Sequence, residues 1–456
     1  MAFPSGFTWG VATASYQIEG SPARAGGGES VWDMFCRREG AVHAGESGLI
    51  ACDHYHRYRE DVALMKRFGI QAYRMSIAWP RVLPDGEGCV HDEGLAFYDR
   101  LVDELLAAGI EPYITLFHWD LPLALYYRGG WLNRDIVGWF GDYTQVVVDK
   151  LGDRVSAWMT LNEPQCFIGL GQQTAQHAPG DRLGMEQLLL ASHHALLAHG
   201  ASAQIIRARA KPGARVGWAP VGVTYIPASD SPEDVEAARE ATWSVTGKNV
   251  WNNTWWDDPV FFGKYPEDGL ALFGRDVPEI RPGDMETIHQ PPDFFGANIY
   301  NGTLVRRGDD GKPQTVSYRQ GIGRTTYQWP VTPECLYWGP KFAYERYQKP
   351  IVITENGLGC VDWPHLDGQV HDPARIDFLA RHLREFHRAH QDGVPIDGYF
   401  QWSFLDNFEW NEGYRQRFGL VYVDYETQER IPKDSAEWYA GVIASNGSWV
   451  CCFNPE

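Results

Sequence analysis

Eight times along the chain, a short run of β-branched, aromatic or apolar residues leads into a loop, and most of these loops lead on to a stretch with helical periodicity. The runs are Thr8–Ala14, Gln71–Ile77, Pro112–Phe117, Ala157–Leu161, Arg215–Ala219, Phe294–Asn298, Ile351–Thr354 and Gly398–Gln401. Several are apolar almost throughout, as expected of parallel strands covered on both faces. Helical patterns occupy Tyr55–Phe68, Glu93–Ala108, Asp135–Leu151, Met185–Ala210, Pro232–Val245 and Pro373–Gln391. The first two run into Gly69 and Gly109, residues that stop a helix because they enter the left-handed conformation without penalty. Eightfold strand–helix alternation predicts an α/β chain closed into one (β/α)₈ barrel, with long βα loops forming a deep pocket. At ~150 residues per domain the length would suggest about three domains, but such a barrel spends its whole length on one. The expected organisation is therefore a single catalytic domain over residues 1–456. A doubly wound dinucleotide fold lacks its signal, since no G-x-G-x-x-G follows the first strand.

Charge narrows the partners. Forty Lys and Arg stand against 59 Asp and Glu, a net −19. That balance argues against nucleic acid and against an anionic membrane surface, both of which need a basic patch. No stretch of ~18 apolar residues offers a membrane span. Residues 1–10 carry no basic region ahead of an apolar one, so the expected location is cytoplasmic. Eight scattered cysteines without a C-x-x-C pair read as reduced thiols, and the adjacent Cys451 and Cys452 would strain to bridge. No cofactor or metal is called for: His382, His387 and His390 lack the i, i+4 spacing of a helical metal pair. Aromatic residues make up 14% of the chain, including 19 Trp. Most must be core, but an indole face also suits the C–H face of a pyranose ring.

Two strands end alike. Met159-Thr160-Leu161 runs into Asn162-Glu163-Pro164, and Ile351-Val352-Ile353-Thr354 runs into Glu355-Asn356-Gly357. Each places a Glu at the C-terminal end of an apolar strand, where barrel enzymes carry their chemistry. The two lie 192 positions apart, so only the fold can bring them together. On strands four and seven they would face each other across the barrel mouth. Paired carboxyls in that arrangement suit glycoside hydrolysis, in which one protonates the leaving oxygen and the other attacks the anomeric carbon.

Thr160-Leu161-Asn162-Glu163-Pro164 resembles the T-x-N-E-P motif of the family 1 glycoside hydrolases, the β-glucosidase group. Ile353-Thr354-Glu355-Asn356-Gly357 resembles the family's I-T-E-N-G. The similarity extends from Phe3-Pro4 to Phe418-Gly419-Leu420-Val421-Tyr422. It implies that Glu163 is the general acid/base and Glu355 the nucleophile of a retaining double displacement, with the two carboxyls ~5 Å apart. Arg74 then matches the family's arginine beside the nucleophile, and Tyr300 the tyrosine whose hydroxyl bonds it. By the same resemblance Gln17, His118, Trp119, Asn162 and Asn298 belong to the sugar-binding set, and Asn162 reads the 2-hydroxyl. Trp402 floors the sugar, Glu409 accepts from its 4- and 6-hydroxyls, Trp410 flanks it, and Phe418 lies near carbon 6. Trp329 corresponds to the platform for the leaving group.

Glu409 also argues for a neutral sugar. An ionised carboxylate ~4 Å from a phosphate costs roughly 4 kcal/mol per unit charge at an effective dielectric of 20, which disfavours the 6-phospho-β-glucosidase alternative. The implied activity is an exo-acting β-glucosidase on β-glucosides and cello-oligosaccharides, with β-galactosidase or β-fucosidase side activity. Transglycosylation to an alcohol is the enzymatic alternative, and a non-catalytic sugar-binding barrel would not need both glutamates. The partner is thus a small neutral saccharide such as cellobiose; oligomeric state is not read from the sequence. Three positions depart from the family pattern, at Gln165, Ile299 and Cys335. Gln165, followed by Gln172, Gln173 and Gln176, predicts a more polar wall on the aglycone side.

Overall fold

The computed structural model describes residues 2–451. Its eight-stranded parallel sheet comprises β1 (Thr8–Ala12), β2 (Ala72–Ser76), β3 (Glu111–Phe117), β4 (Ala157–Asn162), β5 (Arg215–Ala219), β6 (Phe295–Asn298), β7 (Ile351–Asn356) and β8 (Ile396–Trp402). Neighbours follow the order β5-β4-β3-β2-β1-β8-β7-β6. In the ladder Thr8 lies beside Gly398 and Gly10 beside Ala72. Between β5 and β6 the ring is drawn shut by a parallel bridge from Val221 to Asn298 and by the Asp293 amide donating to the Val216 carbonyl at 2.8 Å. The expected barrel is present, and each strand lies within two residues of its reading from sequence.

Every residue of β2, β4 and β7 is buried, which explains why these strands show no alternation. Side chains fill the interior: the Tyr113 and Phe400 rings meet at 4.8 Å, and a Cβ on Gly10 would stand 2.4 Å from the Phe400 ring. A glycine is required there because the ring takes its place.

Eight helices surround the sheet: α1 (His54–Arg67), α2 (Asp92–Ala108), α3 (Ile136–Leu151), α4 (Met185–Arg209), α5 (Thr254–Phe262), α6 (Cys335–Tyr347), α7 (Pro373–Gln391) and α8 (Asp434–Ala444). Tyr55 of α1 packs on Phe97 of α2, and Thr144 of α3 shares a 2.8 Å hydrogen bond with Ser202 of α4. Phe261 of α5 stacks on Tyr347 of α6, while Arg67 of α1 pairs with Glu437 of α8 at 2.6 Å. The helix expected at Pro232–Val245 forms over Pro232–Trp243, but it is not the ring helix between β5 and β6. It packs instead on a small three-stranded sheet built by the loops (Tyr225–Pro227, Thr303–Arg307, Pro313–Thr315). The ring position belongs to α5, whose residues are buried from Thr254 to Phe261 and so carry no amphipathic signature.

Cys36, Cys52, Cys89, Cys166, Cys335 and Cys360 are free thiols. The Cys451–Cys452 pair falls outside the residues whose side chains are described. Among the described residues, no helix is long and apolar enough to cross a membrane.

Candidate active site

A cavity of about 640 Å³ opens where the C-terminal strand ends converge. Glu163 and Glu355 both line it, delivered by β4 and β7. The ladder is irregular at both points. The β4–β5 register shifts between Met159 and Asn162, and that of β7 with its neighbours shifts after Ile353. Such shifts re-aim a side chain at a strand end. Glu163 also holds a left-handed backbone (φ 42°), unusual for a residue with a Cβ and a form of strain that collects at functional sites.

The two carboxyls are held differently. Glu355 Oε1 accepts from Arg74 Nη1 at 2.6 Å, and its Oε2 accepts from the Tyr300 hydroxyl at 2.8 Å. Arg74, fully buried on β2, is itself fixed by donating to the Thr354 carbonyl, to Thr115 Oγ1 and to Asn162 Oδ1. Glu163 receives one amide, from Asn298 Nδ2 at 2.9 Å. The same Asn298 nitrogen also donates to Asn162 Oδ1 at 3.0 Å. With its oxygen taken twice, Asn162 donates through Nδ2 to His118 Nε2 at 3.0 Å. The imidazole proton therefore sits on Nδ1. Burial, with Arg74 nearby, holds His118 well below the usual imidazole range, so the ring is neutral.

At another part of the wall, Gln17 Nε2 donates to Glu409 Oε2 at 3.1 Å and to Asn407 Oδ1 at 2.9 Å. Trp410 (φ 53°) lies 4.6 Å from Trp119 (φ 77°), and Trp402 stacks against His118 at 5.7 Å. Of the residues singled out from the sequence, His118, Trp119, Asn298, Tyr300, Trp329, Trp402, Glu409, Trp410 and Phe418 line the cavity. Gln17, Arg74 and Asn162 are joined to these lining residues by the bonds above.

A family model, Glycosyl hydrolase family 1, matches residues 1–448. The chain belongs to glycosyl hydrolase family 1. A 1,4-beta-D-glucan glucohydrolase of Thermotoga neapolitana is 45% identical over 451 residues, covering 98% of this chain and 99% of its own. A bifunctional beta-D-glucosidase/beta-D-fucosidase of Bifidobacterium breve is 40% identical, with 98% and 99% covered. The solved beta-glucosidase from Thermotoga maritima in complex with glucoimidazole superposes with a TM-score of 0.89 at 44% identity, covering 98% of this chain and 99% of that one. The protein is thus an enzyme that hydrolyses glycosidic bonds.

For such a hydrolase the protonation states matter. Burial, and secondarily the Glu355 charge, push the Glu163 carboxyl up to about 8. Burial also raises Glu355, but the Arg74 guanidinium, the Tyr300 hydroxyl and the Asn298 amide pull it back. Of the pair, Glu355 ionises first: a cation and a phenol stabilise its charged form, whereas Glu163 has an amide. The two carboxyls facing the same cavity are thus held unequally, and Glu355 gives up its proton more readily than Glu163.

Sequence reasoning missed Tyr327, whose hydroxyl donates to Glu409 Oε1 at 3.2 Å, and Cys166, Leu170, Trp251 and Asn411 in the wall. The expectation of a run of wall glutamines is corrected: of the four, only Gln176 lines the cavity. Gln165 is buried and clasps the Val221 backbone through both ends of its amide, which fixes the loop after β5.

Proposed function

We propose that this cavity removes terminal β-D-glucosyl residues from β-glucosides and cello-oligosaccharides with net retention. Glu355 attacks the anomeric carbon while Glu163 protonates the departing oxygen. The observation that carries the reading is the asymmetry between the carboxyls: two donors, one cationic, favour the ionised form of Glu355 against burial, while Glu163 has no cation on it and is pushed up to about 8. The mechanism then follows from electrostatics. Once Glu355 is esterified to the sugar its charge is gone, and with it one cause of the raised Glu163 pKa. Glu163, left ionised by the first step, then takes a proton from a water whose oxygen attacks the anomeric carbon. This breaks the ester, releases the sugar and the Glu355 carboxylate, and returns the enzyme to its starting state. A separation of ~5 Å between the carboxyls is part of this reading.

The sugar lies on Trp402. Asn162 reads the 2-hydroxyl, and His118 and Gln17 read its neighbours. Glu409 reads the 4- and 6-hydroxyls, and Trp329 carries the leaving group. The cavity wall contains neither Lys nor Arg among the described residues, which favours a neutral sugar over a phosphorylated one. We place the reaction in the cytoplasm, where six free thiols are at home, and assign it to the breakdown of cellulose fragments by one catalytic unit spanning the chain. A p-nitrophenyl β-D-glucoside should be hydrolysed by the native enzyme and left intact by Glu355→Ala. Turnover in that variant within tenfold of native would remove the nucleophile from the account.

A further inference from the structure

The connection between β6 and α6 carries Tyr327, a residue with no part in the acid–nucleophile chemistry. Its turn is built tightly. The Thr325 amide donates to the Trp329 carbonyl at 2.9 Å, the Trp329 amide to Thr325 Oγ1 at 3.2 Å, and Arg324 Nη1 to the Gln328 carbonyl at 2.7 Å. Gln328, between the two aromatics, holds φ 63°, where a side chain is disfavoured. The turn stacks Tyr327 on Trp329 at 4.7 Å and 12°, and sets its ring 5.9 Å from Phe418. From there the phenol reaches Glu409.

Glu409 therefore meets a sugar with both oxygens already engaged, Oε1 by Tyr327 and Oε2 by Gln17, and its amide is pinned to the Gly413 carbonyl at 2.7 Å. A carboxylate offers about four acceptor positions. Two remain, one on each oxygen, so a sugar with both a 4- and a 6-hydroxyl must fill both, the one on Oε1 beside the phenol. A 6-deoxy sugar asks for one, and sets its methyl among the Tyr327 and Phe418 rings.

We propose that Tyr327 sets the preference at carbon 6, shifting selectivity toward 6-deoxy-β-glycosides by occupying an acceptor position of Glu409. The inference rests on the proposed orientation of the sugar, with carbons 4 and 6 toward Glu409. β-D-Fucosides and β-D-galactosides differ only at carbon 6, so their ratio of kcat/KM isolates the effect from the 4-hydroxyl. Tyr327→Phe keeps the ring and removes the phenol.

The native enzyme should favour p-nitrophenyl β-D-fucoside over the galactoside. In Tyr327→Phe the ratio should fall roughly fivefold, the weight of one hydrogen bond, through a gain on the galactoside. A ratio that stays put or rises, or an equal loss on both substrates, would overturn the proposal while leaving the catalytic assignment standing. An enzyme that hydrolyses neither of these nor the glucoside would overturn the assignment, and the proposal with it.

Discussion

In the proposed mechanism Glu163 acts as an acid only while it holds its proton, and two features favour the protonated form: burial, and a charged neighbour on β7. The required form is the protonated one, so activity is present below its pKa and declines as pH rises through about 8. The acidic limb has the opposite sign, because protonating Glu355 removes the nucleophile. Glu163→Gln should therefore lose the alkaline limb of the kcat/KM profile. It should lose about 10²–10⁴-fold on alkyl glucosides, whose leaving groups need the proton, and far less on a dinitrophenyl glucoside. Equal losses on both substrates would deny Glu163 the acid role. Of the site residues, those embedded in strand-end motifs were legible because the barrel fixes where a strand end points. Tyr327 was not: it sits in a loop with no periodicity, and its importance comes from a contact with Glu409 across 82 positions.

The eight strands were readable because buried parallel strands are short apolar runs bounded by turns. The helices were less so. α6 contains Gly339-Pro340 and α5 contains Pro259, breakers that tertiary packing overrides. The junction of β7 with β8 matters most to the site. A Cβ on Gly357 would lie 1.8 Å from the Trp402 carbonyl oxygen, so these strand ends touch backbone to backbone. Gly357→Ala must push Glu355 and Trp402 apart. An ångström of misplacement costs on the order of 10²-fold in rate, and the overpacking costs about 1–3 kcal/mol of stability. Steady-state kinetics and a melting curve on the purified variant check both. A kcat within twofold of native would show that the contact does not position the site.

At the scale of the whole barrel, closure turns residues far apart in sequence into neighbours. Thr8 pairs with Gly398 at one junction, and Val221 meets Asn298 at another. The same closure sets Glu163 and Glu355 on one cavity, at a separation that the proposed mechanism puts at ~5 Å. That distance has a chemical readout: carboxyls ~5 Å apart yield retention, and those ~6.5–9.5 Å apart leave room for a water and yield inversion. The proton NMR spectrum of a β-glucoside digest, followed from the first minutes before mutarotation, reads it directly. The anomeric signal of β-glucose should appear first and that of α-glucose only later. If α-glucose appears first, Glu355 does not attack carbon 1, and the paired roles given to the two glutamates are wrong.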